Sequence, residues 1–158
     1  FNIMTLYAYT KHKLFVLGGG RQWRPVVHVR DVARAFMTVM NSPREKVHKE
    51  AFNVGSNEQN YQVVTIAHMV RDVLSYTEIE MVPDDPDKRT YNVSFDKIKN
   101  VLGFETKFTP YEGIVEIKQA LEHGKIEDSI HTRTVNYYKY LIEAEQVVKE
   151  VSYNGSIF

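Results

Sequence analysis

Three features of the sequence have residue types and spacing suited to phosphate or proton chemistry. They are the run Gly18-Gly19-Gly20, the Tyr7/Lys11 pair, and the arginines Arg24 and Arg89. The glycines lie in "LFVLGGGRQWRPVVHVRDVARAF", Leu14 to Phe36, which reads strand, glycine loop, amphipathic segment. That is the order of a dinucleotide site, which needs glycines at G-x-G-x-x-G and a helix opening inside the motif, so that its amides meet the pyrophosphate. Here the glycines are consecutive. Pro25 removes an amide and biases Arg24 toward an extended backbone. "VVHV" then continues β-branched, and the helix arrives too late to serve the glycines. The pattern predicts a hairpin-type glycine turn between two strands.

Tyr7 and Lys11 stand four residues apart, on one helical face. A cation beside a phenol is the arrangement that lowers a tyrosine pKa for acid–base work, but the pair is read here as structural. The histidines, His12, His28, His48, His68, His123 and His131, show no H-x-x-x-H or H-E-x-x-H spacing. His28 lies among apolar neighbours and is expected to be packed and hydrogen-bonded. No G-x-S-x-G elbow is present. Arg24 leaves the glycine turn beside Trp23, and Arg89 sits in the polar loop "DPDKRTYNVS". A guanidinium fork grips phosphate in bidentate fashion, although an isolated arginine is most often a solvated surface charge.

Elements must position these groups. Ile3, Leu6 and Tyr7 are spaced for a helix over Phe1 to about His12, expected to begin before the chain does. Strands are expected at Lys13 to Leu17, at Pro25 to Val29, at "EIEMVP", and at Ala51 to Gly55, the last of the fully buried parallel type. Asp31 to Met40 forms an amphipathic helix with an apolar stripe of Val32, Phe36, Val39 and Met40, and "NSPREKVHKE" a polar loop. Further helices are read over Val63 to Leu74 and over "SFDKIKNVLGF", the latter capped by Ser94 and stopped by Gly103. The clearest start signal is "TPYE": Thr109 as cap, Pro110 at the first helical position and Glu112 in the first turn, opening a helix to about His123. A last helix carries Val135, Tyr138, Leu141, Ile142 and Val148 on one stripe.

The chain has 158 residues, 43% hydrophobic, with 20 basic and 20 acidic residues and no cysteine. Balanced charge implies no broad pull toward nucleic acid or membrane. Without cysteine there is neither a disulfide framework nor a thiolate metal site, which fits a reducing, cytoplasmic setting. No apolar run approaches the roughly 18 residues of a membrane span.

The two arginines and their surroundings carry a resemblance. "RPVVHVRDVARAF" resembles the R-x-[FYV]-[IV]-H-V-x-D-[VL]-A motif of the extended short-chain dehydrogenase/reductases, the NAD-dependent nucleotide-sugar epimerases and dehydratases. "AFNVGSNEQNYQVVTIAHMV" resembles their following strand ending in N-[VI]-G and its helix. "DKRTYNVSFDKIKNVLGFETKFTPYEGIVE" resembles their D-x-R-x-Y segment through L-G-[FW] to a helix holding G-[IL]. The match runs in order over Phe1 to about Leu121.

The resemblance implies an α/β fold: the C-terminal substrate-binding half of an extended Rossmann-type enzyme, helix-rich with short strands and without the N-terminal dinucleotide-binding half. Residues 1–125 would form that half and 126–158 a helical extension. It further implies that Arg24 and Arg89 grip a nucleotide-sugar diphosphate with Asn2, and that Phe15, Val16 and Leu17 lie along the nucleotide base. The family's NAD loop and its catalytic Y-x-x-x-K pair stand upstream of the Asn segment. Tyr7 and Lys11 follow Asn2, so no catalytic residue is assigned in this chain. NAD(P) is implied for the complete enzyme and not for this chain alone. Two functions follow: the non-catalytic nucleotide-sugar-binding portion of such an enzyme, or a free-standing truncated member acting as a binding or self-association module. Without its cofactor half the chain would expose the edge beside "AFNVG", so a homo-oligomer is expected.

Overall fold

The computed structural model describes residues 1–84, 87 and 89–156. The chain divides into two compact units, Phe1–Gln119 and Ala120–Phe158.

In the first unit, helix α1 spans Asn2–Lys11 and closes on His12, whose φ of 55° is left-handed. It buries Thr5, Leu6 and Ala8, whereas Ile3 stays exposed. Strand β1, Lys13–Leu17, pairs in parallel with β4, Glu78–Val82, in the register Lys13↔Glu78 to Leu17↔Val82. Alternation along β1 sends Leu14 and Val16 into the core and leaves Phe15 and Leu17 exposed. Between these strands in sequence comes α4, Val63–Val73, which buries Ile66, Ala67 and Val70. Ala67 and Val70 join Leu14, Val16, Ala8, Leu74 and Ile114 in one apolar cluster.

The glycine run forms a single 3-10 turn, Gly18–Gly20, with φ of 59°, 66° and 68°. It is not a hairpin turn. The strand before it pairs with β4, and the strand after it, β2 (Trp23–Pro25), pairs antiparallel with β3 (Asn60–Gln62). The turn carries the chain from one small sheet to another, and its tightness has a packing cause. A Cβ on Gly20 would stand 2.5 Å from Val16 Cγ1 and 2.7 Å from Val64 Cβ.

The expected strand over Pro25 to Val29 ends at Pro25, and helix α2 begins at Val29 instead of Asp31. His28 takes the N-cap, its Nδ1 accepting from the Arg30 amide at 3.2 Å. Helix α2, Val29–Met40, buries Asp31 and Ala35. Its opposite face is bare: Val29, Phe36, Met37 and Met40 are 75%, 68%, 55% and 76% exposed. The expected stripe is therefore on the outside at Phe36 and Met40.

Inside the expected polar loop, Arg44–Val47 makes a short helix, α3. Ala51 to Gly55 is not a strand. Phe52 and Val54 pack half-buried on a second cluster of Ala35, Phe95, Ile98 and Phe104, while Ala51 and Asn53 face outward. The segment alternates as a strand should, but a parallel strand exists only with a ladder neighbour. None is found among the described residues.

Helix α5, Asp96–Leu102, stops at Gly103 with φ 65°, as expected. Its N-cap is Phe95, one residue later than the sequence signal; Ser94 Oγ still accepts from the Asp96 amide at 3.3 Å. Helix α6, Pro110–Glu122, opens with a reciprocal box. The Thr109 amide donates to Glu112 Oε2 at 2.7 Å, and the Glu112 amide donates to Thr109 Oγ1 at 3.3 Å. In the second unit the main element is helix α7, Thr134–Val151. Its apolar stripe is legible, yet Val135, Tyr138, Leu141, Ile142 and Val148 are all exposed.

Candidate functional site

Strand β2 fixes Arg24. It stands opposite Tyr61 on β3, between Trp23 and Pro25. Residues 90–93 are tied to this small sheet by hydrogen bonds. The Trp23 amide donates to Thr90 Oγ1 at 3.0 Å, and the Tyr91 amide donates to the Trp23 carbonyl at 3.4 Å. The Asn60 side chain then imitates a strand neighbour for Val93, accepting from its amide and donating to its carbonyl, each at 3.0 Å. Two stretches more than sixty residues apart are thereby brought side by side.

The result is a compact ionic group. Arg24 Nη1 donates to the Arg89 carbonyl at 2.5 Å and to the Trp23 carbonyl at 2.9 Å, while its Nη2 reaches Asp87 Oδ2 at 3.3 Å. Arg89 faces the same carboxylate in fork geometry, Nε to Oδ1 and Nη2 to Oδ2, both at 2.7 Å. The Arg24 guanidinium also lies 5.3 Å from the Tyr91 ring centre. Arg24 is 22% exposed and Arg89 79%, so one cation is seated and the other reaches into solvent. The Arg89 side chain and then its backbone amide hold the Asp87 carboxyl well below the usual carboxylate range. Two guanidinium groups thus converge on one carboxylate, each through charge-assisted hydrogen bonds.

The remaining sequence-derived positions fall elsewhere on the same unit. Asn2 is exposed at the first turn of α1. Phe15 and Leu17 present their side chains outward from β1, at 53% and 38% exposure. Val16 is wholly buried in the core, which leaves it only its backbone for any ligand. Among the described residues, no hydrogen bond or ion pair joins Asn2 to the arginine pair.

Asp31 has a role beyond its place at a helix start. It is fully buried in the first turn of α2 and accepts from the amides of Lys107 and Phe108 at 3.0 Å and from Arg34 Nη1 at 2.5 Å. Burial alone would raise its pKa, but the two amides and Arg34 together lower it. It ties the start of α2 to the approach to α6. Its sequence signals are its place in the H-V-x-D motif and an acidic residue at a helix start followed by Arg34 three positions on.

His28 behaves as expected for a packed histidine. With Nδ1 accepting an amide, its Nε2 is the donor to Glu116 Oε2 at 3.0 Å, and its ring stacks on Phe108 at 4.8 Å. His28, Arg30, Phe108, Tyr111 and Glu116 line part of an open cleft of about 300 Å³. Lys11 Nζ lies 4.1 Å above the centre of the Tyr7 ring. The ammonium therefore lies over the aromatic face in a cation–π contact.

Gly20 packs closely against Val16 and against Val64 in the first turn of α4, and the glycine turn leads directly into β2. Among the described residues no group of three or more His, Cys, Asp or Glu side chains is placed to hold a metal ion. No described helix is long and apolar enough to cross a membrane.

Comparison with known proteins bears on this geometry. Residues 2–55 match the model of the NAD dependent epimerase/dehydratase family. No curated protein matches the sequence. Among solved structures, the chain is similar to UDP-glucose 4-epimerase with UDP-glucose from the hyperthermophilic eubacterium Thermotoga maritima, at 24% identity and a TM-score of 0.66, over 78% of this chain and 39% of that one. It is also similar to dTDP-glucose 4,6-dehydratase from Bacillus anthracis in complex with NAD, at 26% identity and a TM-score of 0.62, over 79% and 40%. A third is UDP-glucuronic acid 4-epimerase from Bacillus cereus in complex with UDP-glucuronic acid and NAD, at 17% identity and a TM-score of 0.60, over 75% and 39%. The chain spans about two fifths of the length of these structures.

Proposed function

From a chain that shares the sequence of the NAD dependent epimerase/dehydratase family over residues 2–55, and its helix-rich α/β fold over about three quarters of its length, we propose the following function. It is the substrate-binding portion of a nucleotide-sugar epimerase or dehydratase, built from residues 1–125 with 126–158 as an extension, and it is not catalytic by itself. The observation that carries this reading is the convergence of Arg24 and Arg89 on a single anion. A nucleoside diphosphate offers the same chemistry at larger scale. Arg24 is the seated contact and Arg89 the exposed one, and both act by binding and orienting. Phe15 and Leu17, exposed beside the glycine turn, supply apolar surface for a base, and Asn2 an amide.

NAD belongs, on this reading, to another portion of such an enzyme, because the consecutive glycines Gly18 to Gly20 lack the G-x-G-x-x-G spacing of a dinucleotide loop. The bare apolar face of α2 and the ladder-less segment 51–55 support a missing protein neighbour. In isolation the same surfaces support a homo-oligomer in the cytoplasm, which is the setting the cysteine-free sequence favours.

Trp23 is the sole tryptophan and precedes Arg24, so its fluorescence reports on the site. UDP-, dTDP- and GDP-sugars titrated against it should give a saturable change with at least one nucleotide. The absence of any saturable change, together with no ligand-induced rise in unfolding temperature, would remove the reading.

A further inference from the structure

The carboxylate of Asp87 sits where the proposed ligand would. Both oxygens take the Nε/Nη2 edge of Arg89, and Oδ2 also takes Nη2 of Arg24. Arg24 Nη1 is turned to the carbonyls of Trp23 and Arg89. The fork of Arg89 is therefore already engaged, and the seated arginine shares the same partner. No phosphate can take bidentate bonds from these edges while the carboxylate keeps them. The contacts are charge-assisted, yet Asp87 is 39% exposed, so exchange for a better anion costs little.

We propose that Asp87 is a built-in competing anion of this site: it holds Arg24 and Arg89 together when the site is empty and must be displaced by the incoming diphosphate. This rests on the preceding reading of the arginines as diphosphate ligands, and it adds a residue that sets affinity against the ligand. Asp87 preorganises the two cations by charge matching, since unscreened guanidinium groups would repel one another. A diphosphate bears more charge and more acceptor oxygens than one carboxylate, so it wins the exchange, but its measured affinity is lowered by the contacts it replaces. Discrimination follows as well. A ligand with a single weak anionic oxygen pair gains nothing over Asp87, whereas a diphosphate does.

The test is a calorimetric titration of the full chain with UDP, dTDP and GDP, using wild type, Asp87→Asn, Arg89→Ala and the Asp87→Asn/Arg89→Ala double variant. Asp87→Asn should bind about two- to fivefold tighter than wild type, the range expected for loss of a competing surface ion pair. In the Arg89→Ala background, where the fork that Asp87 occupies is gone, the same substitution should give a smaller gain. The unfolding temperature of Asp87→Asn should remain close to wild type, and Asp87→Ser offers a second removal of the charge if the first variant is unstable. Equal or weaker binding by Asp87→Asn and Asp87→Ser than by wild type overturns the competing-anion role while leaving the arginine reading in place. An undiminished gain without Arg89 also overturns it. If neither wild type nor Asp87→Asn nor Asp87→Ser binds any of the three, the arginine reading fails and this inference fails with it.

Discussion

Asp31 shows how a single residue can set the frame of a site it does not enter. Its carboxylate is the meeting point of two backbone amides and Arg34, all in a fully buried position. Asp31→Ala would leave the Lys107 and Phe108 amides without their acceptor and Arg34 without its counter-ion. The expected loss is about 3–5 kcal/mol in chemical denaturation, the usual cost of breaking a buried charged network. The folded-state pKa of Asp31 is depressed, so its contribution is present above the unfolded value of about 3.9 and is lost as pH falls through the folded value. Asp31→Asn should therefore flatten the fall of stability below about pH 4; an unchanged acid limb would show that other carboxylates govern it. Gly20 makes a comparable case in the backbone. Gly20→Ala meets Val16 and Val64 at a left-handed φ of 68° and should cost about 2–4 kcal/mol by overpacking and backbone strain. Gly19→Ala, with φ 66° but open space around the new methyl, should cost about 1–2 kcal/mol. Equal thermal shifts for the two would remove the packing explanation of the turn.

Among the elements, helix α2 divides its faces in an unusual way, burying an aspartate and an alanine while showing Val29, Phe36, Met37 and Met40 to solvent. An apolar face of this kind recruits protein. Phe36→Asp combined with Met40→Asp should leave thermal stability near that of wild type and shift the isolated chain from associated to monomeric in concentration-dependent light scattering. A wild type that is monomeric across that range would dismiss α2 as an association surface. The sequence exposed those elements whose causes are local. The Thr109–Glu112 box and the Gly103 stop depend on neighbours within a turn, and both stand where the spacing put them. The β1 run, Lys13–Leu17, is legible from its apolar pattern, although its ladder partner β4 is distant in sequence. What depends on distant partners was not. Pairing across the glycine turn is decided by β3 and β4, not by the turn, so a hairpin was expected where two sheets meet. The strand pattern of Ala51 to Gly55 was legible, but its realisation needs a neighbour. Which face of α2 is inward is set by amides of Lys107 and Phe108, seventy-odd residues away. At the site, a resemblance in sequence marks both arginines, whereas Asp87, the first residue of the D-x-R-x-Y segment, takes its role from a position between them that only the fold creates.

At the scale of the whole molecule, the chain is a fold of this family's kind spanning about two fifths of the length of similar structures. The first unit brings two arginines together on the Asp87 carboxylate and turns apolar side chains of β1 outward. The second contributes an amphipathic helix, α7, whose stripe is uncovered. The account stands or falls on whether the arginines receive a diphosphate. Isothermal titration of UDP-, dTDP- and GDP-sugars into wild type and Arg24→Ala tests this most directly. Loss of the seated arginine removes charge-assisted hydrogen bonds of about 1.5–3 kcal/mol, so the best ligand should bind about ten- to a hundredfold more weakly to the variant. Equal affinity of wild type and Arg24→Ala for every nucleotide sugar would contradict it.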